Sequence, residues 1–426
     1  MIEVLIGLAI GAIMIGAASL GVVFILRSST ATQYIQSGTQ LSQDLVDRAR
    51  TVAGATWQDL YNLTKGTSTA YFVAASGTKL ITIEGKEGVP SNEIFDGLIG
   101  HWKFDESTST ATTTAFDVSG GGYHGTLTGG TKRATSTCKV SHCLDFDGSD
   151  DYVDLGDPSD GGLDAFTAMT VAGWFKFDTL KTAGLVGKGD ADPAQPGVAY
   201  ILWTRGGGDD AVFYINDDLN NGNINRSAAD VLTAGRWYHI AGTWDGGTTT
   251  SSIKVYIDGV QSDNSTVTEA QGFAAMRNSS LGTTVGRGLV GTVNQYVDGN
   301  IDDVRIYNRA LSADEVQRLY NSTAFTRYFQ VENVNRDSGG SIVSSGGNED
   351  PSTQKVTAYV EWPGASGAVG QVKVVDYVTR WANRIFNQSD WSGGSGQTGV
   401  ITSPNNRYDN ATSVSNPLGS IRIEGL

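Results

Sequence analysis

The chain of 426 residues carries 30 basic and 45 acidic side chains, a formal net charge of −15, and so lacks the basic footprint with which a duplex nucleic-acid binder displaces counterions. Fifty-five glycines, 8 prolines, 2 cysteines and 39% hydrophobic residues describe a turn-rich globular chain, neither disordered nor a multispan membrane protein. The length predicts two or three domains. Between Gly97 and Ser322 lie 28 acidic and 16 basic residues, a net of −12, so the acidity belongs to one internal block.

In chain order, Val4–Leu26 is a run of 23 uncharged residues. As a helix at about 1.5 Å per residue it would span about 35 Å, enough to cross a bilayer once. It follows an acidic residue, Glu3, where a secretory signal has a basic region. Gly7 and Gly11, four residues apart, offer a small face for close helix–helix approach. Beyond Arg27 the pattern stays helix-compatible to Ala53. Residues 54–97 read as a short helix and a hairpin around Ser76-Gly77.

From Leu98 the text changes to short β-type runs punctuated by Gly, Asp and Asn, among them Met169–Phe177, Tyr200–Trp203, Trp237–Trp244, Ile253–Ile257 and Ile301–Tyr307. Such spacing predicts an antiparallel sandwich. Ser312-Ala313-Asp314-Glu315 is a capping box opening a short helix with Val316, Leu319 and Tyr320 on its apolar face. The tryptophans Trp174, Trp203, Trp237 and Trp244 all lie in strand text, which assigns most of them to the core. Polysaccharide hydrolysis on a strand needs carboxylates at alternate positions, and no E-x-D-x-x-E run occurs. His101, His124, His142 and His239 have no metal-ligand spacing, and no nucleophile elbow or phosphate loop occurs, so no enzyme is expected. Cys138 and Cys143, five apart, could close a small disulfide loop.

After Asn321 three strands are expected, Phe325–Val334, Thr353–Trp362 and Gly370–Val375, followed by a short helix over Asp376–Phe386 with Tyr377, Trp381 and Ile385 inward. In the second strand Val356, Ala358, Val360 and Trp362 alternate with polar residues, so one face packs and one is wet.

Two resemblances organise this text. The opening M-I-E-V-L-I-G-L-A-I-G-A resembles the processed N-terminus of type IV pilins and pseudopilins, and FTRYFQVENVNRD…DPSTQKVTAYVEW resembles the sheet of minor, PilV-like pilins. That likeness implies filament assembly in which Glu3 pairs with the terminal amine of a neighbouring subunit, and a start from which the leader and two mature residues are missing, or which is misassigned. The phrases GLIGHWKFDE, LDFDGSDDYVDLG, MTVAGWFKF, GRWYHIAGTWDG, IKVYIDGV and GNIDDVRIYNRALSADEVQRLY resemble the laminin-G-like, concanavalin A-like jelly roll. This second likeness implies a structural calcium ion, with Asp302 and Asp105 as carboxylate ligands and backbone carbonyls near Gly148 beside them.

The expected fold class is therefore α+β, a long hydrophobic N-terminal helix plus an antiparallel pilin sheet, interrupted by a jelly-roll sandwich. The expected segments are a helix over 1–53, an αβ-loop region over 54–97, the jelly-roll insertion over 98–322, a sheet over 323–390 and a Gly/Ser-rich tail over 391–426. The expected function is an extracellular pilus-like filament subunit, anchored in the inner membrane before assembly, whose partners are like subunits and a glycan or surface ligand met by the jelly roll. The alternative is a membrane-anchored surface lectin or adhesin that does not polymerise, and the third reading is a glycan-active enzyme.

Overall fold

A computed structural model describes residues 32–76, 79–90, 94–107, 113–136, 138–158, 162–164, 166–189, 197–217, 222–266, 272–290, 293–321, 324–363 and 368–380, with a strand pair at Ser413–Ser415 and Arg422–Glu424. Glu3, Gly7, Gly11 and the apolar run Val4–Leu26 lie outside the described residues, as do Trp381 and Ile385.

Three antiparallel sheets dominate the described chain. Two of them form the sandwich. In the eight-stranded sheet, Met169–Phe177 lies between Trp237–Trp244 and Asp298–Tyr307, and Leu98–Trp102 and Cys143–Asp147 both pair with the latter. In the nine-stranded sheet Asn223–Ala228, Asp210–Asn216, Tyr200–Arg205 and Ala183–Lys188 run side by side, continued by Thr283–Val285 and Tyr152–Gly156. Strand side chains alternate between faces, so one set from each sheet meets in the middle. There Phe146, Val171, Phe175, Phe177, Leu202, Phe213, Ile240 and Val255 are buried in one cluster. Each such side chain contributes about 1.5–3 kcal/mol by leaving water.

The third sheet has seven strands. Lys79–Glu84, Tyr71–Ser76, Ala324–Arg336, Asn348–Pro363 and Val369–Thr379 lie in that order, and Glu87–Pro90 and Ile342–Val343 also pair with Ala324–Arg336. Helix α1 (32–55) lies across it. Its Leu45, Val46, Ala49, Val52 and Ala53 recur at helical spacing and pack on Tyr71, Val73, Phe329, Val331, Val356 and Ala358. Nearer its start the helix approaches so closely that a Cβ on Gly38 would stand 2.9 Å from the Trp362 ring. Helix α2 (Trp57–Tyr61) adds Trp57 and Leu60 to the same core.

The chain leaves this sheet at Pro90 and returns at Ala324, which pairs with Pro90 directly across the ladder. Everything between, the sandwich and helix α3 (Ala313–Tyr320), is thus suspended from two adjacent strands. A buried ionic cluster joins the units: Glu87 receives Lys103 Nζ at 2.9 Å from the sandwich and Arg327 Nε from the sheet, and Arg327 also reaches Asp44 on α1 at 2.7 Å.

The described architecture corrects the expected fold class. It is mostly β, with jelly-roll sheets, and among the described residues no helix is long and apolar enough to cross a membrane. The sheet beside the sandwich is broader than the three or four strands of a pilin, because Tyr71–Ser76, Lys79–Glu84, Glu87–Pro90 and Ile342–Val343 join it as well. The helix expected from Asp376 is also absent at its start. Val369–Thr379 is one continuous strand pairing with Asn348–Pro363 to its end, and its alternation turns Tyr377 outward, 43% exposed, while Val378 packs.

Candidate functional site

Three places in the sandwich gather groups that can do chemistry. The first is the turn after Cys143–Asp147. Gly148 adopts φ 75°, a left-handed conformation open to glycine, and folds the chain back so that Asp151 Oδ2 accepts from Asp147 N at 2.9 Å. The carboxylates of Asp147, Asp150 and Asp151 then converge, with ligand oxygens within 4.8 Å of one another. Asp151 is 4% exposed and its Oδ1 has no hydrogen-bond partner. A buried carboxylate oxygen without a donor is costly, and a hard cation is one way to supply what it lacks. Asp209, Asp210 and Asp230 form a second group of the same kind, without a buried member. Two acidic clusters able to hold a cation are therefore present, and both consist of the oxygen donors that suit a hard ion.

The second place contains the residues expected as calcium ligands, and the structure divides them. Gly148 belongs to the acidic turn, where its carbonyl accepts from Lys181 Nζ at 2.6 Å. Asp105 and Asp302 lie elsewhere, on either side of the loop closed by the Cys138–Cys143 disulfide, whose Cα atoms are 5.3 Å apart. Asp302 Oδ2 accepts from Val140 N at 2.8 Å, and Asp105 accepts from Gly88 N and His142 N. A Cβ on Gly88 would collide with Val140, so the Glu87–Pro90 strand seats against this loop only through glycine. Burial pushes both carboxyls well above the usual carboxylate range, and for Asp302 the nearby Asp105 and Asp303 add to it. Asp303 goes the other way: burial alone would raise it, but the Arg305 guanidinium and the His101 imidazole hold it below the usual range. The pair Asp105 and Asp302 thus acts as a clamp on backbone amides. On the loop, Lys139 Nζ stands 3.9 Å over the Trp174 ring, which also contacts His239 and Tyr320.

The third place is the outward face of the nine-stranded sheet. Because Leu202 and Phe213 point into the core, their neighbours Trp203 and Tyr214 point out. Trp203 pairs with Val212, and Val212 with Ser227; Ile201 pairs with Tyr214, and Tyr214 with Asn225. This brings two partly exposed aromatics onto adjacent strands of one face. The indole N–H of Trp203 and the hydroxyl of the fully buried Ser227 have no hydrogen-bond partner. The strand Arg287–Val290 packs on Gly184, the ladder partner of Trp203, where a Cβ would meet the Gly288 backbone. Trp174 and Trp244 are buried as expected of strand tryptophans, but Trp203 and Trp237 are not. A strand fixes only that a residue takes one of two faces. Which face is set by register, and residue identity alone does not give it.

Comparison with known proteins falls on this sandwich. Residues 147–317 match the family model described as the concanavalin A-like lectin/glucanases superfamily. No curated protein matches the chain. Among solved structures the chain is similar to domain 4 of AbnA, a GH43 extracellular arabinanase from Geobacillus stearothermophilus in complex with arabinotriose, at 21% identity over 53% of this chain and 98% of that one, with a TM-score of 0.37. It is similar also to the sialidase of Trypanosoma rangeli, at 16% identity, 53% of this chain, 32% of that chain and a TM-score of 0.36. The binding domain of Paraclostridial Mosquitocidal Protein 1 is similar at 12% identity, 67% and 76% coverage and a TM-score of 0.35. The family match supports a concanavalin A-like, lectin-type β-sandwich over residues 147–317. These findings give no support to the pilin and pseudopilin resemblance, to a filament subunit or to a membrane-anchored precursor, so those readings of identity, function and localisation give way to one centred on the sandwich.

Proposed function

We propose that the protein is a non-catalytic recognition module that binds saccharide through the outward face of its nine-stranded sheet. The observation that carries this is the Trp203 side chain. An aromatic ring on a sheet face offers a flat apolar platform for the C–H face of a sugar ring, and the Trp203 side chain is partly exposed there. Tyr214 on the next strand extends the platform. Fold alone does not establish function, and the family description supplies only the class of ligand to test.

Within this reading the acidic turn holds Ca²⁺. Asp147, Asp150 and Asp151 would be the carboxylate ligands, and the cation would give the Asp151 Oδ1 atom a partner and fix the turn between Cys143–Asp147 and Tyr152–Gly156. A ligand that prefers the folded state raises stability by mass action. Millimolar Ca²⁺ should therefore raise the thermal midpoint of chelator-treated protein by several degrees, and Asp151→Asn should abolish the shift. A midpoint indifferent to Ca²⁺ removes the cation from the account. A glycan array tests the recognition itself: at least one saccharide should be retained, with the bound sugar recovered unchanged.

A further inference from the structure

Where the sandwich hangs from the third sheet, the two units enclose a cleft of about 600 Å³, within the size range of small-molecule sites. Both contribute to its walls. The sheet side supplies Ser68, Thr69, Glu84, Lys86, Thr326 and Glu361, and the sandwich side supplies Ser107, Thr135, Ser141 and His142. We propose that this cleft binds a neutral polyhydroxylated ligand, a single saccharide unit, held by the Lys86–Glu361 pair and the surrounding hydroxyls. The site is separate from the outward sheet face and does not rest on the reading given for that face.

The chemistry of the walls favours a ligand that hydrogen-bonds at many points. Only Ala70 and Gly85 among the lining residues lack a polar side-chain group. One ammonium faces two carboxylates, so an anion finds no net positive field. What remains is a dense set of neutral donors and acceptors around one ammonium–carboxylate pair. Lys86 Nζ stands 3.5 Å from Glu361 Oε2 and 4.2 Å over the Tyr328 ring. That separation is longer than a close charge-assisted hydrogen bond, which leaves Oε2 as an acceptor and Nζ as a donor for adjacent hydroxyls of a diol. Glu361 is meanwhile held in place through Oε1, which accepts from Tyr328 Oη at 2.9 Å and from Gln371 Nε2 at 2.8 Å. Thr326 lies directly across the ladder from Glu361, so its hydroxyl and that carboxylate share one wall. The opposite wall is fixed by the disulfide loop. Ser141 Oγ donates to Lys86 O at 2.6 Å and lies 3.1 Å from His142 Nδ1. Burial, with Lys86 and Arg133 nearby, keeps the His142 imidazole neutral at pH 7, able to exchange hydrogen bonds without adding charge.

The test is ligand-observed NMR on the full chain with glucose, galactose, arabinose and lactose as probes, and inorganic phosphate as the anionic competitor. Glu361→Gln and Thr326→Val keep side-chain shape while removing an acceptor and a hydroxyl, so both should fold as the parent does. At least one sugar should bind the parent and Trp203→Ala alike, and bind about tenfold more weakly in both cleft variants. Phosphate should not displace it. Absence of binding by every sugar, binding indifferent to both cleft substitutions, or displacement by phosphate would each overturn the proposal. Loss in Trp203→Ala alone would overturn it too, while leaving the sheet-face reading intact.

Discussion

The buried carboxylates separate into two kinds, and their chemistry runs in opposite directions with pH. Burial alone would raise Glu87, but Arg327 and Lys103 reverse this and hold its carboxyl down to about 2. The stability it contributes is fully present above its unfolded value of about 4.3 and is lost as pH falls toward 2. Asp105 and Asp302 are raised instead, chiefly by burial. Each is protonated in the folded chain where the unfolded chain ionises it, so folding takes up protons and stability falls as pH rises from about 4. Asp302→Asn cannot ionise and should lose this slope. The parent should therefore gain stability relative to the variant as pH is lowered from 7 toward 4, measured by denaturant unfolding at each pH. A difference independent of pH would show that Asp302 is ionised in its clamp. The sequence made Asp105 and Asp302 conspicuous as acidic residues but not the use to which they are put. That use depends on the amides of Val140 and His142 reaching them, and the loop conformation that allows it places Ser141 at φ 47°.

At the scale of elements, local signals were reliable where they rested on chemistry confined to a few residues. The Ser312 side chain accepts from Glu315 N, and the Glu315 carboxylate accepts from Ser312 N at 2.8 Å, closing the capping box of α3. Glu315 is also gripped by both terminal nitrogens of Arg309, at 3.0 and 2.8 Å. Val316 and Leu319 bury that helix against Ala172, Ala241 and Tyr307 on the outer face of the eight-stranded sheet. Ser312→Ala should cost about 1 kcal/mol, the usual worth of an N-cap, read as a lower denaturant midpoint at unchanged m-value. A loss below a few tenths would mean that the Arg309–Glu315 contact holds the turn without the cap. Long apolar strands such as Met169–Phe177 were equally legible, because both faces are covered and the text reads as a continuous run. Asn223–Ala228 and Thr283–Val285 were not. Their residues carry little apolar pattern, and they form strands because Asp210–Asn216 and Ala183–Lys188 present unpaired edges that they complete. The start of the helix expected over Asp376–Phe386 is strand for a related reason: the ladder to Asn348–Pro363 continues through Thr379, and pairing outweighs local propensity.

At the scale of the whole molecule, the sandwich and the third sheet meet through charge and through apolar surface, the latter where Phe116 and Val118 pack on Phe72, Ala74 and Ile83. Glu87, Lys103, Arg327 and Asp44 link strand, sandwich and helix in one buried or half-buried chain of ion pairs. Such pairs add modest net stability after desolvation but fix one arrangement, because any other would leave a buried charge without a partner. The acidic excess of the internal block then describes the sandwich surface, with two clusters able to take a cation. One of its members, Asp105, also reaches the third sheet, where it accepts from Gly88 N. Recognition by the sandwich face is the central claim, and it is tested most directly by calorimetric titration of the full chain and of Trp203→Ala with the saccharide best retained on the array. The account predicts saturable binding by the parent and at least about a tenfold loss in the variant, measured at a temperature where both are folded. Equal affinity in the two proteins, or no binding to any saccharide, would contradict it.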